Sequence, residues 1–159
     1  MQLDESSNLS QSTLPLPDVL HLIADLESQG FDVEKLSRHG AVHWFAQWCQ
    51  AFLGDVRSAT GNYRYRGLHW HAFSYGFVDA LDGALAVDAY TRQTAAAVLV
   101  IPEEWSGGCG VRCRGAGLPD LVACREDLYV FPESLAWTMA FTHEQPALGP
   151  YFALGADRE

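Results

Sequence analysis

Three groups of residues in this 159-residue chain have the types and spacing that chemistry requires. The first is His69-Trp70-His71. On a strand, residues two apart project from one face, so both imidazoles would point together. Two such histidines begin a metal site, and zinc would need at least a third ligand from elsewhere, with His143, Glu144 or Asp79 as candidates. The competing reading has them hydrogen-bonded to backbone. The second group is Cys109-Gly110-Val111-Arg112-Cys113, with Cys124 eleven residues later. Its C-x3-C spacing is not the usual C-x2-C, and there is no second pair. Arg112 and Arg114 would lower the Cys113 thiol pKa if they lie close, but a thiol nucleophile also needs a histidine within reach. The glycine-rich flanks fit a plain loop better. That loop, GGCGVRCRGAG, also lacks both the G-K-[ST] and the G-x-G-x-x-G patterns of phosphate cradles.

The third group is Thr142-His143-Glu144. It starts like the zinc-protease motif HExxH, but the second histidine is missing and Pro146 would break the helix the motif needs. A two-residue alternation places Trp137, Met139, Phe141 and His143 on one face of a strand, with Ala136, Thr138, Ala140 and Thr142 on the other. His143 then ends a core-facing row, at the core margin, with Glu144 or a carbonyl as its partner.

These residues must be held by an ordered framework. Residues 1–13 are polar and serine-rich and read as a mobile tail. LPLPDVLHLIADLESQG carries helix signals: Pro17 near the first turn, Leu20, Ile23 and Leu26 at helical spacing, and Gly30 as the cap. A second helix runs through GAVHWFAQWCQAFLG, where Val42, Phe45, Trp48, Cys49 and Phe52 recur at helical intervals. DVRSATGNYRYRG is a loop, LHWHAFSYGF a strand, DGALAVDAYTRQ a short helix and AAAVLVIP a central strand. WSGGCGVRCRGAG is a loop and LPDLVACRE a short helix; DLYVF and AWTMAFT form a hairpin, and YFAL adds an edge strand. The expectation is one α+β domain over residues 14–159: a mostly antiparallel sheet of about four to five strands, helices packed on one face, and an N-terminal helical pair.

Composition narrows the function classes. The net charge is −10, and nine of the ten basic residues are arginine. Such a chain is poorly suited to nucleic acid or to an anionic membrane surface, whereas a basic protein partner would be attracted to it. No apolar run reaches bilayer length, and the N-terminal residues lack the pattern of a signal peptide, which points to the cytoplasm and to free thiols.

The segments HWHAFSYG and DLYVFPESLAWTMAFTHEQPALGPYFA together resemble a small bacterial family of unknown function. Its pattern runs W-H-x-F-S, Y-V-F-P-x-x-x-x-W-T, T-H-E and G-P-Y-F. The match falls on Trp70, His71, Phe73 and Ser74, on Tyr129 to Pro132, Trp137 and Thr138, on Thr142 to Glu144, and on Gly149 to Phe152. It covers roughly residues 65–153, with the N-terminal helices and the cysteine-rich loop outside it. The resemblance brings no catalytic residues, and it implies an immunity or accessory role. Immunity proteins that neutralise toxins are small acidic domains that block an active site by charge and shape. The expected function is therefore non-enzymatic binding of a basic toxin or effector, without a cofactor. Asp79, Asp82, Asp88, Glu103, Glu104, Trp105 and Tyr75 are the candidate contacts. The rival reading is a metal-dependent enzyme using His69, His71, His143 and Glu144, and a third is a structural hydrogen-bonded cluster.

Overall fold

The computed structural model describes residues 17–56, 67–103 and 109–155. The expected N-terminal tail, most of the loop after the second helix, and the candidate contacts Glu104 and Trp105 lie outside them. Helix α1 (Pro17–Ser28) starts on proline, whose fixed φ suits the first helical position. It ends as the sequence indicates: Gly30 takes φ +94°, its N–H reaches the Glu27 carbonyl at 3.0 Å, and Phe31 reaches Leu26 at 3.2 Å. This paired closure satisfies carbonyls the helix leaves unbonded, and glycine adopts it without a Cβ penalty. Strand β1 (Asp32–Lys35) follows and separates the two N-terminal helices. Helix α2 (Arg38–Leu53) is capped by the Ser37 hydroxyl, which accepts from the Gly40 N–H at 2.9 Å. Ala41, Trp48, Cys49, Phe52 and Leu53 are its buried residues.

After a 3-10 turn (Gly54–Val56) come α3 (His71–Ser74), β2 (Leu81–Asp82) and α4 (Gly83–Thr91). The remaining strands are β3 (Ala97–Pro102), β4 (Val111–Arg114), β5 (Leu128–Pro132), β6 (Trp137–Phe141) and β7 (Tyr151–Leu154). All seven form one antiparallel sheet in the order β1-β4-β3-β5-β6-β7-β2. The fold is α+β, but among the described residues the sheet has seven strands rather than four to five.

Both faces of the sheet are covered, which corrects the expected one-sided packing. Leu99, Ile101, Tyr129, Phe131 and Ala140 pack with α2 and the 70–73 turn. The alternate residues Val98, Val100, Leu128, Val130, Met139 and Phe141 pack with α1 and α4. A strand covered on both sides reads as a continuous apolar run, which is why β3 shows no alternation.

Four further expectations change. LHWHAFSYGF is a tight turn leading into α3, because Trp70 and Phe73, three apart, both enter the core. Short apolar runs of this kind do not separate strand from helix by period. The supposed glycine-rich loop contains β4, whose Val111 and Cys113 are buried while Arg112 and Arg114 face the other way. The short helix expected over LPDLVACRE is irregular backbone with a turn. The YFAL strand is internal, since β2 pairs against it and takes the edge.

The hairpin of β5 and β6 forms as expected, with Val130 opposite Met139. Its turn is locked from outside: the Gly155 N–H donates to the Ala136 carbonyl at 2.8 Å. A Cβ on Gly155 would lie 2.3 Å from the Leu135 carbonyl oxygen, a backbone atom without a flexible side chain's freedom to move. Gly155→Ala is expected to cost about 1–3 kcal/mol, as overpacking generally does. Urea denaturation followed by circular dichroism measures it; an unchanged midpoint would show that the turn yields freely.

Candidate functional site

Polar side chains gather where the ends of β3, β5 and β6 meet the turn before α3. Backbone brings them together first: the Glu103 N–H, just after β3, donates to the Asp127 carbonyl, just before β5, at 2.8 Å. Glu103 turns inward, its side chain only 9% exposed. Its Oε1 accepts the His69 backbone N–H at 2.8 Å and the Tyr129 hydroxyl, and its Oε2 lies 2.5 Å from His69 Nδ1. The Tyr129 hydroxyl oxygen accepts the Trp70 backbone N–H at 3.0 Å. The Cys49 thiol, on α2, hydrogen-bonds the same His69 ring.

Burial alone would pull the His69 pKa down. The bonds to Cys49 and Glu103 outweigh it and raise the value to about 9, so the imidazole carries its proton at neutral pH. Tyr129 is pushed well above the usual tyrosine range by burial, with Glu103 adding to it, and stays a donor.

Asp127 organises a second cluster beside the first. Its Oδ1 accepts the Trp70 Nε1–H at 2.8 Å and the His143 backbone N–H at 3.0 Å. His143 Nδ1 lies 2.9 Å from the same oxygen, and its Nε2 lies 3.4 Å from Glu144 Oε2. The bond to Asp127 raises the His143 pKa. His143 thus stands at the core margin as the alternation implies, and its main partner is Asp127. Thr142 and Gln145 are the buried members of this turn. The Thr142 hydroxyl donates to the Leu148 carbonyl, its N–H donates to Gln145 Oε1 at 3.1 Å, and Gln145 Nε2 donates to the Val122 carbonyl.

The four residues of the metal reading do not form one set. His69 belongs to Glu103 and Cys49, His71 stacks on Tyr75 at 4.9 Å, and His143 belongs to Asp127. The strand geometry that would have aligned His69 and His71 is absent. Among the described residues, no three His, Cys, Asp or Glu side chains are grouped to hold a metal ion. Cys113 is also placed away from its expected activators. Burial pushes its thiol up to about 11, while Arg112 reaches Glu133 at 2.7 Å and Glu34 at 3.3 Å.

Of the candidate partner contacts, Tyr75, Asp79, Asp82 and Asp88 are exposed, and Glu103 is not. Asp88 pairs with Arg92 at 2.8 Å along α4. Four large apolar side chains accompany them on one short stretch of chain: Tyr75 (60% exposed), Phe77 (41%), Leu81 (43%) and Leu85 (65%). Sequence reasoning missed Cys49, Asp127 and Tyr129, whose partners lie far away along the chain and follow no local motif. One available signal was Glu103, an acidic residue directly after the most apolar strand.

Among the described residues, no helix is long and apolar enough to cross a membrane. No curated protein and no solved structure matches the chain. Residues 20–152 match a family described as a domain of unknown function, DUF4275, a span that takes in α2, the cysteine-rich loop and most of α1 as well as the hairpin. The chain is a member of the DUF4275 family.

Proposed function

We propose that this protein is an immunity-type binding protein that neutralises a basic bacterial toxin or effector by direct contact. The observation that carries the reading is the surface formed by Tyr75, Phe77, Leu81 and Leu85 among Asp79, Asp82 and Asp88. Large apolar side chains left in water along one stretch favour an interface, because burying them against a partner recovers the hydrophobic free energy. Acidic groups around them favour a basic partner and speed its encounter, and the net charge of −10 adds to that field. The sheet edge at β2 adjoins this surface, since among the described residues Leu81 and Asp82 pair with β7 alone.

The test is titration calorimetry with the protein encoded by the adjacent gene. The expected result is a complex whose affinity falls as salt is raised. Tyr75→Ala and Leu85→Ala should each weaken it about tenfold, the scale of an interface anchor. Their effect on stability should stay within about 0.5 kcal/mol, as for exposed positions generally. Failure to form a complex, together with no protection in co-expression, would remove this reading.

A further inference from the structure

Residues 117–122, between β4 and β5, are irregular backbone held in place by side chains from elsewhere in the chain. Gln29, just after α1, grips both backbone groups of Asp120: its Nε2 donates to the carbonyl at 2.9 Å, and its Oε1 accepts the N–H at 2.8 Å. The Tyr90 hydroxyl, on α4, donates to the Pro119 carbonyl at 2.6 Å. Gln145 Nε2 donates to the Val122 carbonyl, and Leu121 is buried. A segment tied at so many points keeps its shape, and between it and α4 lies a cavity of about 390 Å³. Small-molecule sites are of this size, largely apolar and formed in advance of the ligand.

The lining selects the ligand. Val87, Leu118 and Val122 give it apolar walls, and Val122 is 44% exposed, an apolar side chain with surface left to cover. The polar lining is short of donors. The Tyr90 hydroxyl is spent on Pro119, the Thr91 hydroxyl donates to the Asp88 carbonyl at 3.0 Å, and Gln93 gives an amide N–H to the Ala89 carbonyl at 3.3 Å. Acceptors remain: the Thr91 oxygen, Gln93 Oε1 and the carboxylate of Asp120, the one charged side chain on the lining among the described residues. Asp120 Oδ1 accepts the Val122 N–H at 3.1 Å, which ties the carboxylate to the loop; among the described residues Oδ2 has no hydrogen-bond partner. Acceptors and a negative charge beside apolar walls call for a ligand with a positive donor at one end and an apolar body. We propose that this cavity binds a small primary amine, its ammonium group on Asp120 and its apolar body between Val87, Leu118 and Val122. It shares no lining residue with the surface formed by Tyr75, Phe77, Leu81 and Leu85, and neither reading needs the other.

The test titrates the full chain with phenethylamine at neutral pH and follows backbone amide NMR shifts, with phenethyl alcohol and hydrocinnamate run beside it. The net charge of −10 draws amines to the whole surface, so the site is judged by saturation, by the map of shifts and by the neutral comparison. The expected result is saturable shifts centred on Tyr90, Leu118 and Val122. The amine should bind about tenfold or more tighter than the alcohol, the scale of one hydrogen bond to a charged group, and the carboxylate weakest of the three. Asp120→Asn should bring the amine down to the affinity of the alcohol and leave the alcohol unchanged. Val122→Lys, at an exposed position, should abolish amine binding by placing a like charge at the site. The wild-type comparison does not depend on any variant folding. Equal affinities for amine and alcohol, shifts centred on Asp25 and Glu126 instead, or shifts that never saturate would overturn the proposal.

Discussion

Trp48→Ala is expected to be the most damaging single substitution at the centre of this fold, costing about 4–5 kcal/mol, the upper end for a buried tryptophan. Trp48 is fully buried on α2, facing the sheet. Its ring lies 4.4 Å from Tyr129 and 5.7 Å from Phe52, stacks on Phe45 at 5.6 Å, and meets Phe73 edge-on at 6.3 Å. Its Nε1–H donates to the Thr138 hydroxyl at 2.9 Å, and that hydroxyl in turn donates to the Val130 carbonyl at 3.1 Å. The substitution therefore opens a cavity between four aromatic rings and removes a donor from a buried chain. In a chain of this size each kcal/mol lowers Tm by roughly 2–4 °C, so a fall of about 10–20 °C is expected. Trp48→Phe keeps most of the packing and loses the hydrogen bond, at about 1–3 kcal/mol. Thermal and urea unfolding measure both. A loss below about 1 kcal/mol for alanine would mean that neighbouring rings collapse into the space.

Much of this architecture was legible in local signals. The Gly30 cap, the recurrence of Trp48, Cys49 and Phe52 on α2, and the alternation across β6 each report a local rule, and the structure follows them. The length of the sheet was not legible. β1 carries Asp32, Glu34 and Lys35 and has no apolar alternation, because it is an exposed edge held by pairing with β4. β2 is two residues long and exists through its pairing with β7. Strands defined by a partner leave little trace in their own composition. The same holds for chemistry. Glu103 looks like a surface acid in sequence, and its inward turn depends on Tyr129 and the His69 backbone, both distant along the chain. Cys49 looks like core and is buried there, and its effect on the His69 titration comes from a residue twenty positions away along the chain.

The His69–Glu103 pair should make stability fall on the alkaline side of neutrality. Folding raises the His69 pKa from 6.5 to about 9, so the folded state holds a proton that the unfolded chain releases earlier. The contribution is fully present below about pH 6.5, declines as pH rises, and is lost above about 9. At about 1.4 kcal/mol per pH unit the shift corresponds to roughly 2–3 kcal/mol, allowing for the quarter of the side chain that meets solvent. His143 is also raised, which has the same sign, but at 43% exposure its share is small. Cys113 is separable, because its thiol at about 11 stands above an ordinary value of 9, and its contribution disappears only beyond pH 9. Urea midpoints between pH 6 and pH 9 should therefore show a loss of about 2–3 kcal/mol in the wild-type chain. His69→Gln should start from a lower stability and stay nearly flat over the same interval. Parallel curves for the two proteins would show that the proton on His69 is not what holds the turn to the end of β3.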